Sequence, residues 1–298
     1  MNEFQRLTRK SLFDLAPFLK GLNYLYADYS IGYIFMYDEY VEYEYCILDN
    51  VFYLRYNRDD SIVYLLPVCR EEKLSEAIKR IIDWNKNSSK KVILRSVPDK
   101  YVDMVLSLTK AQLSRNEKWA DYVYDAVAFA SLVGKKYHAK RNYISRFKRL
   151  YGECTFEQIT DKNIEKVKNF FENFKKGEDK KTKIFQMELN ATALMLEHLD
   201  LEGIEHECMI MGGKVIGFTV GEKVGNTLIV HIEKCDKNYE GVYETLTNHF
   251  AKRMIETYPE IEYINREDDA GDEGLKKAKL SYHPKLIAVK NDFTLCVN

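Results

Sequence analysis

The chain has 298 residues, 46% of them hydrophobic and 31% charged, with a formal net charge of -1. That balance describes a folded chain with apolar material for two cores, and it excludes a disordered polyelectrolyte or a surface that binds nucleic acid everywhere by charge. No apolar run approaches the roughly 20 residues of a membrane-spanning helix and the first residues lack a signal peptide's apolar core, so the expected location is cytoplasmic, with peripheral membrane contact left open.

In chain order, residues 43–48, 51–56 and 62–68 read as three strands. A helix over 71–84 follows, with Leu74, Ile78, Ile81 and Ile82 on its apolar side. Residues 92–96 then read as a strand, 100–109 as a helix and 123–130 as another strand. A basic segment, 135–151, and a helix over 164–174 with Ile164, Val167, Phe170, Phe171 and Phe174 on its core face come next. Residues 205–235 form a three-strand meander with glycine turns at Gly212-Gly213 and Val224-Gly225-Asn226. Apolar residues spaced by four then mark a helix over 241–258. A strand over 261–264, a short helix over 272–280 and a final strand or hairpin over 285–296 complete the chain. The order of elements repeats, so the expectation is an α+β chain of two copies of one module, 1–133 and 134–298.

Six cysteines, Cys46, Cys69, Cys154, Cys208, Cys235 and Cys296, stand far apart with no Cys-x-x-Cys pair. They read as reduced thiols, and no metal site is expected, because His206 and Cys208 alone do not supply a ligand set.

The densest polar block follows the predicted strand at 261–264. Asn265, Arg266, Glu267, Asp268 and Asp269 crowd a strand end, where loops commonly carry function. The alternative is a solvated turn leading into a charge-matched helix. On the strand 228–235, simple alternation puts Ile229, His231, Glu233 and Cys235 on one face, with His231 and Glu233 about 7 Å apart. The loop before the helix, Asn238 to Tyr243, contains Gly241, which allows a phosphate to approach backbone N–H groups at a helix start. Within 135–149, lysines and arginines interleave with Tyr137, Tyr143 and Phe147. A basic patch of this kind contacts RNA phosphates or anionic headgroups, or is a solvated helix face.

The strand and helix order is the layout of the GNAT acyltransferase fold. The segments 134–142 (Gly-Lys-Lys-Tyr-His-Ala-Lys-Arg-Asn), 231–236 (His-Ile-Glu-Lys-Cys-Asp), 239–243 (Tyr-Glu-Gly-Val-Tyr) and 265–282 resemble the phosphatidylglycerol lysyltransferase C-terminal domain family over nearly the whole chain. That resemblance implies two tandem GNAT-like modules, each a mostly antiparallel mixed sheet flanked by helices, with the second catalytic. It implies transfer of an acyl or aminoacyl group from aminoacyl-tRNA or acyl-CoA, used as a co-substrate rather than a tightly bound cofactor. The acceptor is an amine, a hydroxyl or a lipid headgroup. Lipid-modifying members carry a multispanning membrane region before this domain, whereas this sequence contains none.

The resemblance makes Glu233 the candidate base or acceptor-amine ligand, His231 its neighbour or orienter and Tyr282 the candidate general acid, with Glu267 a further catalytic candidate. Asn238, Tyr239, Gly241, Val242 and Tyr243 are candidate donor-binding residues. Asn238 and Tyr243 stand where acetyltransferases place Gln or Arg and a small residue, a departure that argues against ordinary acetyl-CoA use. Asn265, Arg266, Asp268, Lys279, Lys140 and Arg141 are candidate substrate contacts. The rival expectation is a noncatalytic sensor of a nucleotide-like ligand or RNA on the same scaffold.

Overall fold

The computed structural model describes residues 4–176 and 182–297. It divides into two compact units, Met1–Ala120 with Ala288–Asn298, and Asp121–Ile287. The division falls at 120/121 and 287/288, where the sequence reading places it at 133/134.

In the first unit, β1 (Gln5–Arg6), α1 (Arg9–Leu19) and α2 (Ile31–Val41) precede three antiparallel strands, β2 (Glu44–Leu48), β3 (Val51–Arg58) and β4 (Ser61–Leu65). Asp49 and Asn50 both take positive φ, the two-residue turn that matches strand twist in a hairpin. α3 (Glu71–Trp84) buries Leu74, Ala77, Ile78 and Ile81 and has Glu71 and Glu72 in its first turn, where the helix dipole favours them. The chain then returns as β5 (Lys91–Val97), parallel to β4 with Lys91 opposite Ser61. α4 (Val102–Leu108) leads into β6 (Ala111–Asp125).

The strand expected over 123–130 is corrected here. It begins at Ala111 and stops at Asp125, whose side chain accepts the Ala128 N–H at 2.9 Å and starts α5 (Ala126–Ser131). An aspartate cap followed by alternate alanines outweighs the β-branched Val127, because the cap satisfies one of the N–H groups left unpaired at a helix start.

The second unit continues with α6 (His138–Tyr151), β7 (Thr155–Glu157), α7 (Ile164–Lys176) and α8 (Lys183–Leu196). A meander follows: β8 (Ile204–Met211), β9 (Lys214–Val224) and β10 (Thr227–Cys235). α9 (Val242–Thr257) covers it, burying Val242, Leu246, Phe250, Ala251 and Met254. Its upper turns meet Leu228 and Val230, and its first turn meets Phe147 and Cys235. Each buried valine, leucine, phenylalanine or methionine among these contributes about 1.5–3 kcal/mol by leaving water. β11 (Tyr263–Asn265) and α10 (Glu273–Leu280) complete the unit, and β12 (Leu286–Leu295) runs antiparallel to β5, with Leu295 opposite Val92.

One feature of this sheet positions the site. β11 pairs parallel with β10 over only three residues, Thr227 to Ile229, while β10 runs on to Cys235. Past Asn265 the chain stays with β6, because Arg266 N–H donates to Tyr122 at 3.0 Å and Tyr122 N–H donates to Glu267 at 3.1 Å. The two strands part, and side chains from both fill the wedge.

Candidate active site

β10 is irregular at the wedge. Its register with β9 slips between Val230 and Ile232, leaving His231 as the extra residue of a bulge. A bulge re-aims the side chains beyond it. Leu228 and Val230 pack with Phe250 of α9 before the bulge, and after it Glu233 accepts a hydrogen bond from Thr247 of α9 at 2.6 Å. His231 instead meets Glu222 of β9. The same-face pairing of His231 and Glu233 expected from alternation does not form.

Glu233 holds its other carboxylate oxygen on Nη2 of Arg266, and both side chains are about nine-tenths buried. Burial opposes a charged guanidinium, but the Glu233 carboxylate outweighs it and holds the Arg266 pKa above its ordinary range. The Nε and Nη1 of Arg266 are buried without an acceptor among the described residues. The guanidinium lies 5.2 Å from the Tyr282 ring centre, and Tyr282 stacks on Phe129 at 4.8 Å. Lys140 places its ammonium 4.1 Å from the same tyrosine ring and donates to Glu244 at 3.1 Å. Burial lowers the Lys140 pKa, with Glu244 acting against that. Burial raises the Tyr282 phenol well above its ordinary value, so its proton is retained at neutral pH. The sequence-predicted Glu233, Arg266, Tyr282 and Lys140 thus converge.

His231 and Glu267 form a separate pair beneath them. The His231 ring is fully buried, with Nδ1 2.7 Å from Glu267 and Nε2 3.3 Å from Glu222. Burial alone would lower the imidazole pKa, but the two carboxylates outweigh it and push it up to about 9. Both ring nitrogens are therefore occupied, and the ring braces the loop. Glu267 takes φ 57, a left-handed conformation that costs a non-glycine residue on the order of 1 kcal/mol or more. Asn265 is buried, donating to Asp121 at 2.9 Å and accepting the Glu267 N–H at 2.6 Å. Asp268 accepts the Ala270 N–H at 2.7 Å. Lys279, expected on substrate, instead directs its ammonium to the main-chain carbonyls of Arg266, Glu267 and Asp268. It clamps the loop that presents Arg266.

The loop from Asn238 to Tyr243 is closed on itself. The N–H groups of Asn238 and Tyr239 donate to Asp236, that of Glu240 to the Tyr151 hydroxyl, and that of Val242 to Tyr239. Gly241, at φ 83, lies so close to α6 that a Cβ would meet the Tyr143 carbonyl at 2.4 Å. The glycine serves helix packing, and few N–H groups remain for a pyrophosphate. Tyr239 stacks edge-on with Tyr151, and Val242 and Tyr243 pack into the small core beneath.

The basic segment is similarly engaged. Arg141 donates to the carbonyls of Leu132 and Gly134, Arg146 pairs with Glu240 at 2.8 Å and Lys148 with Glu153 at 2.7 Å. Arg141 is a cap on α5 rather than a bare surface cation.

A cavity of about 840 Å³ lies elsewhere in this unit, between α7, the β8–β9 turn and the end of β10. The sequence reading missed it, along with Thr247, Glu222, Glu244 and Phe129. The available signal was the polar letters on α7 and α9, which alternate with the core positions.

A model of the phosphatidylglycerol lysyltransferase C-terminal region matches residues 22–289. A conserved protein of unknown function from Bacteroides thetaiotaomicron has a similar structure, with TM-score 0.89 at 24% identity, covering 99% of this chain and 100% of that one. L-PGS from Bacillus licheniformis matches at TM-score 0.70 and 14% identity over 98% and 93% of the two chains. These likenesses concern the fold, which is that of tandem GNAT-like modules. An uncharacterised protein of Mycoplasmoides gallisepticum is 22% identical over 173 residues, 58% of this chain and 55% of that protein. The match thus spans about half the length of that curated relative.

Proposed function

Because this chain belongs to the phosphatidylglycerol lysyltransferase C-terminal family, we propose that it transfers an aminoacyl group from aminoacyl-tRNA to an amine or hydroxyl acceptor in the wedge between β10 and β11. The observation that carries this reading is Arg266. Two of its buried donor groups have no acceptor among the described residues, beside a tyrosine that keeps its proton.

In the proposed reaction the acceptor's N–H or O–H proton passes to Glu233 as the acceptor atom attacks the ester carbonyl. The carbonyl oxygen gains negative charge, and Arg266 Nε and Nη1 stabilise it. The ester C–O bond then breaks and Tyr282 protonates the departing ribose oxygen. A phenol with a raised pKa approaches the basicity of an alkoxide, which suits that step. The proton on Glu233 returns to Tyr282 through solvent. Lys140 stands against the tyrosine ring and is held there by Glu244, and His231 with Glu267 positions the loop. Aminoacyl-tRNA is favoured over acyl-CoA because the closed 238–243 loop has few free N–H groups for a pyrophosphate.

Transfer of a radiolabelled amino acid from charged tRNA to amine and hydroxyl acceptors tests the reading. Arg266→Gln should lower kcat by roughly 10²–10³, the usual cost of losing an oxyanion donor. Glu233→Gln should lower kcat while leaving tRNA binding intact, and Tyr282→Phe should do so most for poor leaving groups. Equal turnover in all three variants would refute it, and binding of charged tRNA without turnover in the wild type would favour the sensor.

A further inference from the structure

The cavity beside β10 has a chemical character that the wedge lacks. Its walls carry three ammonium groups, Lys166 from α7, Lys214 from the β8–β9 turn and Lys237 from the segment after β10. Lys166 and Lys214 make no ion pair among the described residues. The carboxylate among these lining residues, Asp236, is turned onto the Asn238 N–H at 3.0 Å. Among the described lining residues the lysines outnumber the one carboxylate, in a chain whose net charge is -1. Phe170 and Phe174 also line the cavity, one helical turn apart on α7, and Lys237 lies 5.7 Å from the Phe174 ring centre. The side-chain amides of Asn169 and Asn238 stand in the same walls without a hydrogen bond among the described residues.

Cations spaced along a groove, aromatic faces and idle amides are the elements that hold single-stranded nucleotides. Lysines take the phosphates, rings stack on bases and amides read base edges. A volume of about 840 Å³ falls within the range that encloses small ligands and is ample for one or two nucleotides. The cavity also ends at Cys235 and Asp236, just past Glu233 on the same strand.

We propose that this cavity binds the nucleotide end of the transfer donor, with phosphates on Lys166 and Lys214 and a base against Phe170 or Phe174. The proposal rests on the reading of the wedge as a transferase centre. The same chemistry is present in the single-stranded 3′ end of a tRNA and in the nucleotide portion of coenzyme A, and the test separates these sources.

The probes are the RNA tetranucleotide ACCA, coenzyme A and inorganic phosphate, titrated against the full chain by calorimetry at several salt concentrations. ACCA should bind, and Lys166→Glu with Lys214→Glu should weaken it at least tenfold. The double variant should also reduce the slope of log affinity against log salt by about 1.4, or about 0.7 per lost phosphate contact. Phe174→Ala should weaken ACCA binding at least fivefold, leaving the salt slope unchanged. Coenzyme A binding that disappears in the double variant, with no ACCA binding, would keep the nucleotide site but overturn tRNA as the donor. Equal affinity of the wild type and the double variant for every probe, with both cooperatively folded, would overturn the site. In that event transfer from charged tRNA that still depends on Glu233 and Arg266 would leave the wedge reading standing.

Discussion

His231 has both ring nitrogens on carboxylates, and its proton is therefore tied to folding. Its folded pKa of about 9 lies above the free imidazole value of about 6.5, so protonation favours the folded state. This stabilisation is complete below about pH 6.5 and is lost as pH rises to about 9, with a slope of at most about 1.4 kcal/mol per pH unit. Urea unfolding of wild type and His231→Gln across pH 6–9.5 should show this slope only in the wild type. Lys279 makes a second residue-scale case. Lys279→Met leaves three main-chain carbonyls without their donor, and it should destabilise the chain by about 2–3 kcal/mol in the same assay. The residue types at these positions were legible in the sequence, because charged letters at a strand end are conspicuous. Their partners were not. A one-residue bulge at His231 changes which side chains share a face, and alternation cannot register it.

At the scale of elements, helices and strands with strong periodicity were legible. The stretch expected as a helix over 71–84 forms over that span, and the meander expected over 205–235 forms with its glycine turns at positive φ. The end of β6 was not, because an aspartate cap overrode an apolar pattern. Gly241 was read as a phosphate approach and instead admits α6 against the start of α9. Gly241→Ala tests that contact. It combines a strained φ with a Cβ against the Tyr143 carbonyl, and it should cost about 3 kcal/mol, read as a lower urea midpoint. A glycine needed only by a ligand would lower donor affinity while leaving that midpoint unchanged.

Across the whole molecule, the duplicated order of elements has a counterpart in detail. Arg95 precedes Ser96 at φ 55 at the end of β5, as Arg266 precedes Glu267 at φ 57 after β11. The first unit answers its arginine differently, with Asp28 between the Ser96 hydroxyl at 3.0 Å and the buried Lys290 ammonium at 2.6 Å. Asp28→Ala would remove the carboxylate that faces the buried Lys290 and Arg95, and it should destabilise that unit by about 3–5 kcal/mol, as measured by thermal unfolding. Lys290 and Phe293 both belong to β12, which follows the second unit in chain order, yet they are buried in the first unit. During synthesis at about 5–20 residues per second, the whole second unit emerges in between, which delays closure on the order of 10–30 seconds. Through that interval β5 lacks its β12 neighbour, and an unpaired strand edge is a template for pairing with another chain.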